Sequence, residues 1–297
     1  MRVSTEGLAG TVTAAFGKRC IVRLDDGDVL ACLQTGRAEQ PVCGDRVSIQ
    51  KAGAGTGQVV AIAARSSLFS RGTSTRTKRI AANISHLLVV TACEPAIDDE
   101  LLCRFLIAGE NAGLRIVIAL NKIDLPLAID RSRRLLDPFR TLGYPVIELS
   151  AIQDISPLLP ALAGHRTLFV GQSGMGKSTI VNRLVPDANA RVAEISRHLG
   201  TGKQTTTASR LYTVAPDIEL IDTPGVSQFG LAAMDLSQLL LGFPEFLPHA
   251  PHCRFPDCAH IAEPDCAVHA AVAAGMVHPR RLQLYRRIRQ IDMRASQ

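Results

Sequence analysis

Through residues 1–64 the apolar and polar positions alternate in short runs, at 10–16, 20–24, 29–33, 44–49 and 57–62, with Asp25, Asp26 and Gly27 supplying a turn. Alternation at period two between turn signals predicts half-buried strands, here a five-stranded β pattern. A small barrel of the OB type accounts for it; an SH3-like barrel has the same appearance at this level. Farther along the pattern changes. RIVIAL at 115–120, PVIEL at 145–149, RTLFV at 166–170 and the apolar run at 218–221 predict buried strands, whereas STIVNRL at 178–184 has helical spacing. Such an order of strands and helices predicts an α/β core. A final helix is expected to begin at Pro279.

Composition bounds this reading. With 297 residues, 46% apolar and 20% charged, the chain supports about two or three domains and a sizeable core, and is not disordered. The opening MRVSTEGLAG lacks an apolar signal region, and no apolar run reaches the ~18 residues of a membrane span, so a soluble cytoplasmic protein without membrane association is expected. Cys20, Cys32, Cys43, Cys93 and Cys103 stand scattered in apolar contexts and read as small core residues of a reducing compartment.

Between the strand at 166–170 and the helix at 178–184 lies GQSGMGKS, a complete Walker A loop. Gly171, Gly174 and Gly176 let backbone amides turn toward a phosphate, and the helix N-terminus adds partial positive charge. Lys177 would reach the β and γ phosphates, and the Ser178 hydroxyl would ligate magnesium. The bland alternative is a Gly-rich turn, which the strand and helix on either side argue against.

Asn121-Lys122-Ile123-Asp124 follows the strand at 115–120, at the carboxyl end where α/β sheets bind ligands. A carboxylate at Asp124 accepts from both N1–H and the exocyclic amine of guanine, a charge-assisted pair that adenine does not offer. By itself such a tetrapeptide is equally a surface turn. Ser150-Ala151, after the run at 145–149, stands where a backbone amide could meet guanine O6. In the usual GTPase order the base motif follows the phosphate loop; here it precedes it, which makes the nucleotide domain a circular permutation.

Downstream, the strand at 218–221 leads into Asp222-Thr223-Pro224-Gly225, an acid for the magnesium shell and a glycine whose amide meets the γ phosphate. One hydroxyl of Thr205, Thr206 and Thr207 is expected to close on magnesium; which of them is left open. Val226 stands where a Ras-like enzyme places the glutamine that orients the attacking water. Intrinsic hydrolysis is therefore expected to be slow, with the water positioned by Gln204, another part of the loop or a partner.

Cys253, Cys258, His260 and Cys266 form a Cys3His set, for which a structural zinc is the natural occupant and a disulfide or free thiols the alternative. Zinc would supply much of the folding energy of a tail with a thin core. His249, His252, His269 and His278 read as surface residues or neighbours of the ligands. Beyond Pro279 come Arg280, Arg281, Arg286, Arg287, Arg289 and Arg294 against the single acid Asp292. With a net charge of +6, this basic helix points to a polyanion such as nucleic acid. Residues 65–79, rich in Ser, Thr and Arg, read as a linker.

The permuted order of NKID, SA, GQSGMGKS, TTT and DTPG, the GDRV segment at 44–47, the RIAAN run at 79–83 and CRFPDCAHIAEPDCAV at 253–268 together resemble the RsgA (YjeQ) family of circularly permuted GTPases of small-ribosomal-subunit biogenesis, end to end. The resemblance implies an α/β, P-loop GTPase core (circularly permuted) with an N-terminal OB-type β-barrel and a small, mainly helical C-terminal zinc-binding domain. The expected divisions are 1–68, an RNA-binding barrel; 69–235, the GTPase; and 236–297, the zinc domain with its basic helix. It also implies GTP and GDP contacts from Asn121, Lys122, Ile123 and Asp124 and from Gly171, Gln172, Ser173, Gly174, Met175, Gly176, Lys177, Ser178 and Thr179. Zinc is expected on Cys253, Cys258, His260 and Cys266, and the partner is the small ribosomal subunit with its rRNA, met by a monomer. Family members commonly carry histidine before the three threonines, and this chain has Gln204 there. Two rival readings are a different permuted GTPase acting on the large subunit or on another RNA, and a zinc-bearing nucleic-acid binding module whose GTPase centre has become structural.

Overall fold

The computed structural model describes residues 7–34, 39–73, 76–186, 188, 209–223, 229–231 and 234–294. Five strands open the chain: β1 (Leu8–Phe16), β2 (Arg19–Leu24), β3 (Val29–Gln34), β4 (Arg46–Gly53) and β5 (Thr56–Ile62). They pair in the order β1-β2-β3-β5-β4, and β4 returns to β1, closing a barrel in which β3 and β5 run parallel. That Greek-key closure is the OB arrangement and settles the choice left open by alternation. Val12, Cys20, Val22, Leu30, Cys32, Val47, Ile49 and Val59 fill its interior. Phe16, a candidate for core filling, is only half-buried, and Phe69 is the aromatic that is fully enclosed.

The segment expected to be a linker is instead a hairpin of β6 (Leu68–Thr73) and β7 (Arg76–Ala82). Its apolar face is short: Phe69, Ala81 and Ala82 are fully buried while Lys78 and Arg79 stay on the surface side. A strand pair with so few inward apolar positions carries little periodic signal. Gly44 seats the barrel against the end of this hairpin. A Cβ there would lie 2.1 Å from the Ala82 carbonyl oxygen, so only glycine lets the two backbones approach.

The core then runs β8 (His86–Ala92), α1 (Asp99–Asn111), β9 (Arg115–Asn121), α2 (Pro126–Thr141), β10 (Val146–Glu148), α3 (Leu159–Leu162), β11 (Arg166–Gly171), α4 (Lys177–Leu184), β12 (Arg210–Ala215) and β13 (Ile218–Asp222). Its sheet has the order β10-β9-β8-β11-β13-β12, parallel except for β12, and continues into the barrel through Ala14 opposite Arg210. β8 is buried at every position, as a central strand covered on both faces must be. The loops carrying Asn121, Gly171 and Asp222 therefore emerge along one sheet edge, although Asn121 precedes the other two in sequence.

Three helices complete the chain, α5 (Leu236–Leu241), α6 (Ala267–Ala273) and α7 (Pro279–Arg294). Asp235 and Gln238 start α5 with a capping box. Phe243, Phe246 and Tyr285 pack with ring centroids 5.2–5.3 Å apart, and they belong to the same continuous cluster as Leu101, Cys103 and Phe105 of α1. The tail is thus built onto the main core and is less dependent on a separate one than its composition suggests. Cys20, Cys32, Cys43, Cys93 and Cys103 are buried free thiols. No described helix is long and apolar enough to cross a membrane.

Candidate functional site

The glycines of 171–176 do what the loop requires of them. A Cβ on Gly176 would stand 2.2 Å from Asn121 Nδ2, and its φ is 89°, so the loop closes over the base motif only with glycine there. Asn121 is 2% exposed. It donates from Nδ2 to the Met175 carbonyl at 2.9 Å, while its Oδ1 accepts from the Ala151 amide at 2.9 Å. One side chain thereby ties the base motif, the phosphate loop and the Ser150 turn. Of the Ser150-Ala151 pair, where a backbone amide is expected to meet guanine O6, the Ala151 amide is held by Asn121 in this geometry.

Lys122 adds a second tie, donating from Nζ to the Glu94 and Gly174 carbonyls at 2.7 and 2.8 Å. Its stem is drawn across the phosphate loop. Ile123 donates its amide to Leu149 at 3.4 Å. Asp124 Oδ1 and Ser150 Oγ are buried without a hydrogen-bond partner among the described residues. Buried oxygens left unmatched are costly, and such acceptors suit a ligand edge of N–H donors, such as the N1–H and amine of a guanine. Gln172 Oε1 is unmatched as well.

Lys177 begins α4 and is 5% exposed. Its ammonium is bound to the Asp222 carboxylate and the Thr223 carbonyl. Ser178 is exposed and Thr179 half-buried at the start of the same helix, while Ser173 is exposed and Met175 buried in the loop. The α4 N-terminus has no side-chain cap, which leaves its amides for an anion. The donor set of Ser178 and Asp222 is all oxygen, as magnesium prefers. Thr205, Thr206, Thr207, Gly225, Gln204 and Val226 lie outside the described residues.

The exit from that region is described, and sequence reasoning missed its role. Phe229 is 3% exposed, with its ring centroid 4.8 Å from Phe105 and 5.7 Å from Phe69. The Gly72 amide donates to Gly230 O at 2.9 Å. Residues 229–231 are thereby docked on α1 and the β6–β7 hairpin. No local signal marks this, since one phenylalanine after a polar loop is common.

At the metal centre the ligand atoms of Cys253, Cys258, His260 and Cys266 lie within 4.8 Å of one another. Cys253 and Cys266 sulfurs are 3.9 Å apart, and each is 3.5–3.6 Å from His260 Nδ1. Zn–S bonds of about 2.3 Å in a tetrahedron give S···S edges of about 3.8 Å, so the set fits zinc. Burial pushes the Cys258 thiol up to about 12; a divalent cation supplies the charge that would hold thiolates there. Glu263 shapes the loop by accepting from the Ala259, Ile261 and Ala262 amides at 2.7–3.0 Å. His269 stands beside the cluster, not in it, 3.1 Å from the His260 carbonyl.

The basic helix α7 is not the free cationic face that its composition predicts. Arg280 forks onto Asp99 at 2.7 and 2.8 Å and Arg287 meets Glu100 at 2.6 Å. Arg281 is 1% exposed; it binds Glu245 and the Gly242 carbonyl at 2.6 Å and lies 4.4 Å from the Phe243 ring centroid. Arg286 reaches His269 Nε2 at 2.6 Å, and Arg289 reaches the Ala259 carbonyl. These five arginines join α1 to the metal loop. Charge counting found them, but only the fold shows which carboxylates they meet.

Residues 62–232 match the family model described as RsgA GTPase. A Bordetella pertussis protein named small ribosomal subunit biogenesis GTPase RsgA is 45% identical, with 96% of this chain and 97% of that one covered. A Burkholderia pseudomallei protein of the same name is 45% identical over 94% of this chain and 91% of its own. Among solved structures, YjeQ from Thermotoga maritima superposes with a TM-score of 0.75 at 24% identity, covering 96% of this chain and 98% of that one. YloQ, described as a circularly permuted GTPase, gives 0.71 at 24% identity, over 99% and 98%. These two carry the fold.

Proposed function

Since this chain belongs to the RsgA GTPase family and is a GTP-hydrolysing enzyme, we propose that it acts on the small ribosomal subunit late in assembly, slowly alone and faster when the subunit is bound. The near full-length identity to proteins named for small-subunit biogenesis carries this reading. In it, Asp124 and Ser150 receive guanine, and Asn121 and Lys122 hold the base motif against the phosphate loop. The amides of 171–176 and the α4 N-terminus take the phosphates, with Lys177 turning from Asp222 to the β and γ oxygens.

Ser178, Asp222 and one threonine of 205–207 would hold magnesium, which neutralises phosphate charge when bound. Gly225 offers its amide to the γ phosphate. A valine at 226 orients no water, so the subunit completes that part of the site. The barrel, the GTPase core and the zinc domain all face the subunit and its rRNA, and the protein works as a cytoplasmic monomer. With GTP bound the zinc domain takes the pose that the subunit accepts, and hydrolysis reverses it.

The test is GTP turnover by the purified protein with no addition, with small subunits and with large subunits, Lys177→Ala serving as blank. Stimulation by small subunits alone is expected. No stimulation by either, or stimulation by large subunits, overturns the assignment.

A further inference from the structure

Arg210 opens β12 directly opposite Asp222, the last residue of β13. Residues paired across strands share a face of the sheet. Asp222 is in turn opposite Phe169, whose side chain packs with Ile180 and Val181 of α4. Guanidinium and carboxylate therefore stand on the α4 side, where Lys177 reaches Asp222.

The Arg210 side chain nonetheless pairs with no acid among the described residues. The residue is 5% exposed, and both terminal nitrogens are buried with no hydrogen-bond partner among the described residues. The phenol of Tyr212, two residues on, lies close enough to feel its charge, but a neutral phenol does not neutralise a guanidinium. Arg281 shows what a satisfied buried arginine looks like in this molecule, with Glu245, the Gly242 carbonyl and an aromatic ring around it. A guanidinium stays charged at any working pH, and burying it unpaired is strongly unfavourable. Such a group needs an anion that the present arrangement gives to something else.

Asp222 is that anion. Its carboxylate is taken up by Lys177, and phosphate oxygens compete for the same ammonium. Once Lys177 turns to them, Asp222 is left with Arg210 as the buried cation paired opposite it across the two strands. We infer that Arg210 is a positioning residue that takes over the Asp222 carboxylate from Lys177 when nucleotide binds, fixing one oxygen so that the other is aimed at magnesium. The proposal rests on the reading of Asp222 as a magnesium-holding acid.

The experiment is the dissociation of a fluorescent GDP analogue from full-length protein across a magnesium titration and in EDTA. Arg210→Gln, Arg210→Lys, Asp222→Asn and the Arg210→Gln/Asp222→Asn double variant are compared with the parent chain. Loss of a group that orients a metal ligand typically costs roughly tenfold in metal affinity. Arg210→Gln is therefore expected to need about that much more magnesium for half-maximal retention, with EDTA values unchanged. Arg210→Lys, which keeps the charge and loses the fork, falls between, and reports on its own should Arg210→Gln not fold. In the Asp222→Asn background Arg210→Gln has no further effect. Without nucleotide, in EDTA, Arg210→Gln melts no lower than the parent, because it removes an unpaired buried charge. A parental magnesium titration in both Arg210 variants, or a shift that adds to that of Asp222→Asn, overturns the inference. If Asp222→Asn itself leaves the titration unchanged, the underlying reading of Asp222 falls instead.

Discussion

Asn121 donates from Nδ2 to the Met175 carbonyl at 2.9 Å, across 54 positions of sequence. Its other amide atom accepts from Ala151, so one side chain holds the base corner and the phosphate loop in register. Asn121→Ala is expected to lower GDP and GTP affinity together, by tenfold or more (~1.4 kcal/mol), and to cost about 1–3 kcal/mol of stability. Nucleotide titration and denaturant unfolding of the same variant check both. Loss of base discrimination with undiminished affinity would contradict the shared tie.

Asp124 Oδ1 is buried with no hydrogen-bond partner among the described residues. Replacing the carboxylate by an amide in Asp124→Asn removes the acceptor for the guanine amine and adds a donor that suits the 2-carbonyl of xanthine. Guanine nucleotides should lose at least about 1–3 kcal/mol by analogy with other bidentate base contacts, and XDP should gain. Competition among GDP, XDP and ADP reads the exchange; equal displacement by ADP in the parent protein would dismiss Asp124 as the base reader.

Cys258 stands with two sulfurs and an imidazole at zinc spacing. Metal analysis should find about one zinc per chain, lost in Cys258→Ser, with the melting temperature lowered by roughly 10 °C. The Arg286 and Arg289 contacts to His260 and Ala259 should loosen with it, visible as faster amide exchange in α7. A metal-free chain with parental stability would identify the cluster as thiols.

Arg281 and Arg280 are neighbours in sequence and opposites in energy. The first is enclosed with Glu245, while the second is half-exposed beside Asp99. Glu245→Ala strands a buried charge and should cost about 3–5 kcal/mol. Arg280→Ala should cost less than about 1 kcal/mol. Similar losses in urea unfolding for the two would refute the distinction.

His86 is 2% exposed and its ring lies 3.5 Å from that of His165. Burial first, then the His165 and Arg115 charges, holds its imidazole down to about 4. The unfolded chain takes up that proton near 6.5, so the unfolded state binds more protons between the two values. The contribution is complete above about pH 6.5 and falls away toward pH 4, by up to about 3 kcal/mol. His86→Gln should flatten stability over that window relative to the parent, as measured by unfolding at closely spaced pH.

The parts of the fold that were legible are those whose cause is local. Alternation at 10–62 marks the barrel strands because one face of each is buried, and the unbroken run RTLFV marks β11 because both faces are. The hairpin of β6 and β7 was not legible, because its single enclosed aromatic, Phe69, finds its partner Phe229 far along the chain. The arginines of α7 suggested a polyanion since their composition is visible and the positions of Asp99, Glu100 and Glu245 are not.

By itself the sequence determined a GTP-hydrolysing family and a Cys3His cluster: GQSGMGKS, NKID and the Cys3His spacing act through backbone conformation and ligand number, which a few adjacent residues set. Tertiary structure decided where charge goes. Lys177 on Asp222, Arg281 under Glu245 and Arg210 without a described acid are consequences of which strands and helices are packed together. Electrostatic pairing depends on distance and burial in space, and neither is written in the separation of residues along a chain.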